Sequence, residues 1–250
     1  MKNFILAILL LAIGTVQAKT PQEFFEQGNI QYQEEKYNEA IETYLKVINQ
    51  GYESVEVYFN LANAYYKTNF TAEAIYFYEK ALALDPAKID VKVNLEYANR
   101  SIIDNIKAVP KSTFDKFNDL FLAVFPYDTW AILAVSCSLI AGLIWMLFFF
   151  STQPSVKKLY FTLATITSLS CLIGLVITAQ QYKRKQNTTY AIVFANQVEV
   201  KNAPRESATE NFVLHEGTKV SVIDVIGDWE KIKLTDGQVG WISSQAIKKL

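Results

Sequence analysis

Between residues 19 and 107, apolar side chains recur every three or four positions among charged ones, the spacing of amphipathic helices. The pattern repeats itself. Sliding the segment by about 34 residues lays Gly28 on Ala62, Tyr37 on Thr71, Ala40 on Ala74 and Tyr44 on Tyr78. Tyr58, Leu61, Ala62, Tyr65, Ala74, Tyr78, Ala81 and Pro86 make the second unit the fuller one. The first keeps Phe24, Gly28, Tyr37, Ala40 and Tyr44, with Gln27 and Gln31 at two apolar positions and Tyr32 placed to compensate for Gln31. A third helix from about Ile89 carries Val91, Leu95 and Ala98 on one side and Lys92, Glu96 and Arg100 on the other, which suits a helix closing the open end of the array.

The pattern changes twice more. Residues 129–150 and 159–179 contain no charged side chain, and each would be about 32 Å long as a helix, enough to span a bilayer. Trp130 stands where an interfacial anchor belongs. Between the array and the first span, Ser112 and Asp115 offer an N-cap ahead of a stripe of Phe114, Phe117, Phe121, Val124 and Phe125, which predicts a helix lying in the membrane interface. From about Tyr190 apolar and polar residues alternate over 197–201, 219–226, 229–234 and 239–242. Gly227-Asp228 and Asp236-Gly237 sit between runs as hairpin turns, and five or so short strands predict a small barrel.

Lys2, the apolar run 4–13 and the ending Val16-Gln17-Ala18 have the layout of a secretory signal peptide. Export of the array then makes the short loop between the spans cytoplasmic and returns the C-terminal segment to the outer side. Lys183, Arg184 and Lys185 fall on the side that basic residues usually avoid. The expected division is a signal peptide, 1–18; two repeats with a capping helix, 19–108; a linker with the interfacial helix, 109–128; spans at 129–150 and 159–179 around a loop, 151–158; a linker, 180–189; and the β-domain, 190–250.

Composition removes several function classes. The net charge of -1 gives no basic field for nucleic acid. The single histidine, His215, stands at a strand end and reads as a plain surface residue. The only cysteines, Cys137 and Cys171, lie inside the spans, each about eight residues from the outer end and so roughly 12 Å deep. Neither a metal-spaced Cys/His set nor a phosphate loop occurs in the sequence, so no catalytic residue, metal, cofactor or small-molecule substrate is expected. Glu34, Glu35, Glu39 and Glu42 read as a solvated helix face, and Trp229 and Trp241 as barrel core, with Trp229 the more exposed. Uncharged spans lack the ionisable groups of a transport path, while Ala141, Gly142 and Gly174 permit close helix contact.

The candidate site is the inner face of the array, where first helices contribute Phe25, Asn29 and Tyr32, then Phe59, Asn63, Tyr66 and Lys67, then Tyr97 and Arg100. Aromatic and amide groups on a rigid groove suit an extended peptide or a partner helix. With 9 Lys and Arg against 14 Asp and Glu over residues 19–107, a neutral or mildly basic partner fits best.

The repeat positions resemble tetratricopeptide repeats. Some domains of that kind clamp a C-terminal carboxylate with two asparagines and three basic residues; Asn29 and Asn60 match the asparagines, but Phe25, Asp90 and Asn94 replace the basic residues. Asn202-Ala203-Pro204, Glu216-Gly217, Asp228-Trp229 and Gly240-Trp241-Ile242 resemble a bacterial SH3-like domain. The whole order, with Asn94-Leu95-Glu96, Ala98-Asn99 and Trp130-Ala131-Ile132-Leu133, resembles the BatE-type proteins of bacterial aerotolerance operons.

That resemblance implies a multi-domain protein of the cytoplasmic membrane, with an all-α array, a two-helix transmembrane hairpin and a small all-β SH3-like barrel, both folded parts facing the periplasm. It implies a scaffold for envelope proteins, von Willebrand-type partners among them, in a stress-related complex. Peptidoglycan binding through the SH3-like part is the alternative it leaves open.

Overall fold

Thr20 starts the first helix by exchange with Glu23. Its hydroxyl accepts from the Glu23 N–H at 3.2 Å, and the Glu23 carboxylate accepts from the Thr20 N–H at 2.7 Å. Pro21 follows at the first helical position, where a missing N–H costs nothing. Helices α1 (Pro21–Gln33) and α2 (Tyr37–Asn49) form one antiparallel pair; α3 (Val55–Lys67), capped by Ser54, and α4 (Thr71–Leu84) form the next; α5 (Ile89–Arg100) closes the series. The 34-residue phase survives in the backbone, since the turn within each pair passes through a left-handed residue, Glu35 (φ 59°) and Asn69 (φ 61°).

The computed structural model describes residues 19–104, 106–107, 109–110, 112–113, 116, 125, 127–187 and 189–250. The signal peptide expected over 1–18 and most of the interfacial helix expected within 109–128 lie outside them.

Small residues let the helices close. Ala40, Ala62, Ala74 and Ala81 are fully buried beside Tyr44, Tyr58, Leu61 and Tyr78. A Cβ on Gly28 would sit 2.5 Å from the Tyr44 ring, so only glycine lets that tyrosine reach its seat.

Helices α6 (Tyr127–Phe150) and α7 (Pro154–Asn187) form a hairpin, and both are long and apolar enough to cross a membrane. The second helix is longer than its apolar stretch. Pro154 starts it after a turn of only 151–153, and the polar residues after Ala179 include neither Gly nor Pro to stop it before Asn187. Contact runs through small side chains: Ala134, Ala141, Ala164 and Gly174 are buried, and a Cβ on Gly174 would meet that of Ala134 at 3.2 Å. Trp145 Nε1 donates to Ser168 Oγ at 3.3 Å. The remaining faces are bare, as at Leu139 (72% exposed) and Phe149 (73%).

The C-terminal strands are β1 (Thr189–Val193), β2 (Gln197–Lys201), β3 (Glu210–His215), β4 (Lys219–Ile226), β5 (Trp229–Lys233), β6 (Val239–Ser243) and β7 (Ile247–Lys249). They form one antiparallel sheet in the order β3-β2-β6-β5-β4-β1-β7. The expected barrel is therefore corrected: the sheet is open, with β3 and β7 at its edges. Strand β7 is only three residues long, and Lys248 and Leu250 lie against the helical array, so that end is covered instead of joined to β3.

Candidate functional site

The inner face of the array is organised by a hydrogen-bond unit that occurs twice. Asn29 Oδ1 accepts from the Tyr44 hydroxyl at 2.7 Å and from Asn60 Nδ2 at 2.8 Å. Thirty-four residues on, Asn63 Oδ1 accepts from the Tyr78 hydroxyl at 2.6 Å and from Asn94 Nδ2 at 2.8 Å. Each unit ties a first helix to its own second helix and to the first helix of the next pair. Burial pushes the Tyr44 and Tyr78 phenols far above their ordinary range, so both stay protonated as donors. Phe25 and Phe59 lean on these same tyrosines at equal centroid distances of 6.1 Å.

Four of the nine predicted groove residues, Phe25, Asn29, Phe59 and Asn63, therefore spend their main contacts on holding the helices together. Asn29 and Asn60, the pair that matched a carboxylate clamp, are bonded to each other. Tyr32 packs edge-on against Tyr37 at 5.2 Å, which covers part of the gap left by Gln31, whose Oε1 is buried without a partner. Tyr66 (36% exposed), Lys67, Tyr97 (54% exposed) and Arg100 remain open to a ligand. Arg100 pairs with Glu96 and lies over the Tyr97 ring at 5.6 Å. Val93, 44% exposed, belongs with them and was missed; the repeat phase that links Phe25 to Phe59 leads 34 residues further to Val93.

Behind the groove, α4 packs on the sheet. Ile192 of β1 is buried in the same cluster as Ile75, and Phe194, Leu250 and Ile102 close around it. Tyr76 meets Phe194 edge-on at 5.8 Å, Lys248 Nζ lies 4.5 Å from the Tyr76 ring, and Lys219 pairs with Glu79 at 2.7 Å. The segment after α5 then crosses the junction. Asp104 accepts from the His215 N–H and the Thr218 hydroxyl, each at 2.7 Å, and its other oxygen lies 2.7 Å from His215 Nδ1. Burial raises the Asp104 carboxyl, but these hydrogen bonds outweigh it and leave it below the ordinary carboxylate value. The reading of His215 as a plain surface residue is corrected: it is a half-buried junction residue, found only when the fold brings residue 104 beside it. A cleft of about 440 Å³ opens here, bordered by Arg100, Asp104, Thr218 and Lys219. Among the described residues, no group of three or more His, Cys, Asp and Glu side chains is placed to hold a metal.

Comparison with known proteins follows the same division. The family described as TPR repeat matches residues 28–69, and the family described as Tetratricopeptide repeat matches 55–88. The helical array thus carries tetratricopeptide repeats, modules of protein–protein interaction. No curated protein matches the chain. Among solved structures, the crystal structure of MamA protein aligns with 67% of this chain and 75% of its own at 15% identity, with a TM-score of 0.31, an overlap too low to argue from.

Proposed function

We propose that this protein is a membrane-anchored interaction scaffold of the bacterial envelope, and that the open positions of the groove, Tyr66, Lys67, Val93, Tyr97 and Arg100, take up a segment of a partner protein. One observation carries the proposal. The doubled asparagine–tyrosine unit pairs the amides and phenols that it joins beneath the groove, yet two tyrosines and a valine stay exposed above it on a rigid support. Exposed aromatic side chains on a preorganised surface are the usual anchors of protein recognition.

The finer reading follows the resemblance to BatE-type proteins: the spans hold the array and β-domain at the periplasmic face of the cytoplasmic membrane, beside von Willebrand-type partners of an aerotolerance complex. Bare apolar faces along α6 and α7 support the anchoring, since in water their exposure would be costly.

The test is co-purification of the von Willebrand-type membrane proteins with the detergent-solubilised chain, compared with a Tyr66→Ala, Tyr97→Ala variant. Loss of two such anchors is expected to cost about 2 kcal/mol, roughly a 30-fold weaker complex. Equal recovery with the unaltered chain and the double variant would remove the groove from the proposal.

A further inference from the structure

Strand β4 is longer than the strand it follows in the sheet. Thr189, the first residue of β1, stands opposite Val222, so β4 continues for four residues: Ile223 in a bulge, then Asp224, Val225 and Ile226 paired only with β5. Those four residues are all exposed, and three are aliphatic: Ile223, Val225 and Ile226, each about half open to solvent. The Gly227-Asp228 turn closes the hairpin, and Trp229 follows it, half-buried. Such a tip is unusual in water, where an apolar patch of this kind marks a contact surface.

Its register indicates what covers it. Because β4 runs antiparallel to β1, the overhang extends back past the point at which the chain enters β1. The chain enters from α7, which ends at Asn187. The apolar run of α7 ends at Ala179, ahead of Gln180 and Gln181, and the eight residues from there to Asn187 rise about 12 Å. Because Ile223 is the extra residue of a bulge, the overhang advances three ladder positions and reaches back about 10 Å. For a strand that runs back along the helix axis the two lengths nearly match, which places the tip close to the level of the hydrocarbon boundary. An aliphatic tip with a tryptophan beside it suits the layer between headgroups and acyl chains.

We infer that the β4–β5 hairpin tip inserts into the interface of the bilayer that α6 and α7 span, on the side where α7 emerges; this rests on the reading of α6 and α7 as spans. Asp224 within the tip and Asp228 in its turn are acidic, so the tip itself draws nothing from anionic headgroups and its contact is apolar. A third point of attachment then fixes the β-domain, and the array packed on it, at a set height above the membrane.

The test uses the full chain in phosphatidylcholine liposomes with Cys137→Ala and Cys171→Ala. One cysteine at a time is introduced as Ile226→Cys, Gln238→Cys at the opposite end of the sheet, or Leu175→Cys in the second span, and labelled with an environment-sensitive fluorophore. Acyl-brominated lipid is expected to quench the labels at 175 and 226, the latter from a shallower bromine position, and to leave 238 emitting. Replacing part of the lipid with phosphatidylglycerol is expected to change nothing. Adding Ile223→Ser and Val225→Ser is expected to abolish quenching at 226, which separates insertion by the tip from insertion by the probe. Quenching at 175 with 226 open to aqueous iodide overturns the inference and leaves the spans intact. No quenching at either site overturns the spanning reading and the inference with it. A label at 226 shielded from iodide and lipid alike, but self-quenching between labelled copies, overturns it in favour of a second copy of this chain.

Discussion

Asn63 holds two donors at once, one of them the buried Tyr78 hydroxyl, so its removal costs more than one surface contact. Asn63→Ala strands both donors and is expected to destabilise the array by about 2 kcal/mol, whereas Tyr78→Phe removes a donor and its need together and is expected to cost about 1 kcal/mol. Thermal melts of the detergent-solubilised chain, followed by helical circular dichroism, check the difference; additive losses in the double variant would deny that the two side chains act as a unit. Asp104 makes a prediction about pH. Its folded-state pKa lies below its unfolded value, so its contribution is present above the ordinary value of 3.8 and is lost as pH falls through the lower folded value. Hydrogen exchange at His215 and Thr218 is expected to stay slow down to about pH 4 and to quicken below it, and in Asp104→Asn to be quick throughout that range. Gly217, between those residues, has φ +85° and would place a Cβ 2.6 Å from Ile102 Cγ2. Gly217→Ala therefore faces both a left-handed backbone and a clash, and is expected to cost about 2–4 kcal/mol in the same melts.

At the scale of elements, the spacing of apolar residues was enough for the helices and for four strands. Strands β2 and β5 and the first half of β4 alternate because one face meets the sheet core and the other is more open, while β6 has a consecutive buried run, Gly240 to Ile242. Strand β1 does not alternate: Ala191 and Val193 face the sheet core while Ile192 enters the array core, so three consecutive residues are buried and the period of two disappears. The absence of β1 from the four runs and the unforeseen junction thus have one cause, a neighbour absent from local sequence; β3 and β7 also lay outside those runs. The groove was legible in phase but not in role, because spacing marks Asn29 and Asn63 as inward without showing that Tyr44 and Tyr78 consume them. In the hairpin the register is readable from the Ala134–Gly174 contact. Three residues up α6 and three down α7 reach Cys137 and Cys171, both half-buried at one level. Mild oxidation is expected to join them within a single chain, seen as a gel shift after thiol labelling, and Gly174→Leu, which forces the helices apart, is expected to lower the yield.

For the whole molecule, the array and the sheet share one apolar junction, sealed by Asp104, although α6 and α7 separate them in sequence. Two parts that share a core lie in one compartment, and a hairpin that leaves a membrane and returns meets that condition. A single crossing would place α4 and β1 on opposite sides and strip Ile75 and Ile192 of the contacts that bury them. On the proposal that residues 1–18 act as an export signal, the shared side is the outer one. Alkaline phosphatase, which folds to activity only after export, is expected to be active when fused after Lys107 or after Leu250 and inactive when inserted in the turn at Gln153. The basic residues Lys183 to Lys185 make this a demanding prediction, because positive charge near a span usually stays in the cytoplasm. Activity at 107 together with inactivity at 250 would mean that the shared junction does not form in the membrane. In that event Asp104→Asn would leave exchange at His215 unchanged, so the fusion pattern and the exchange experiment must agree.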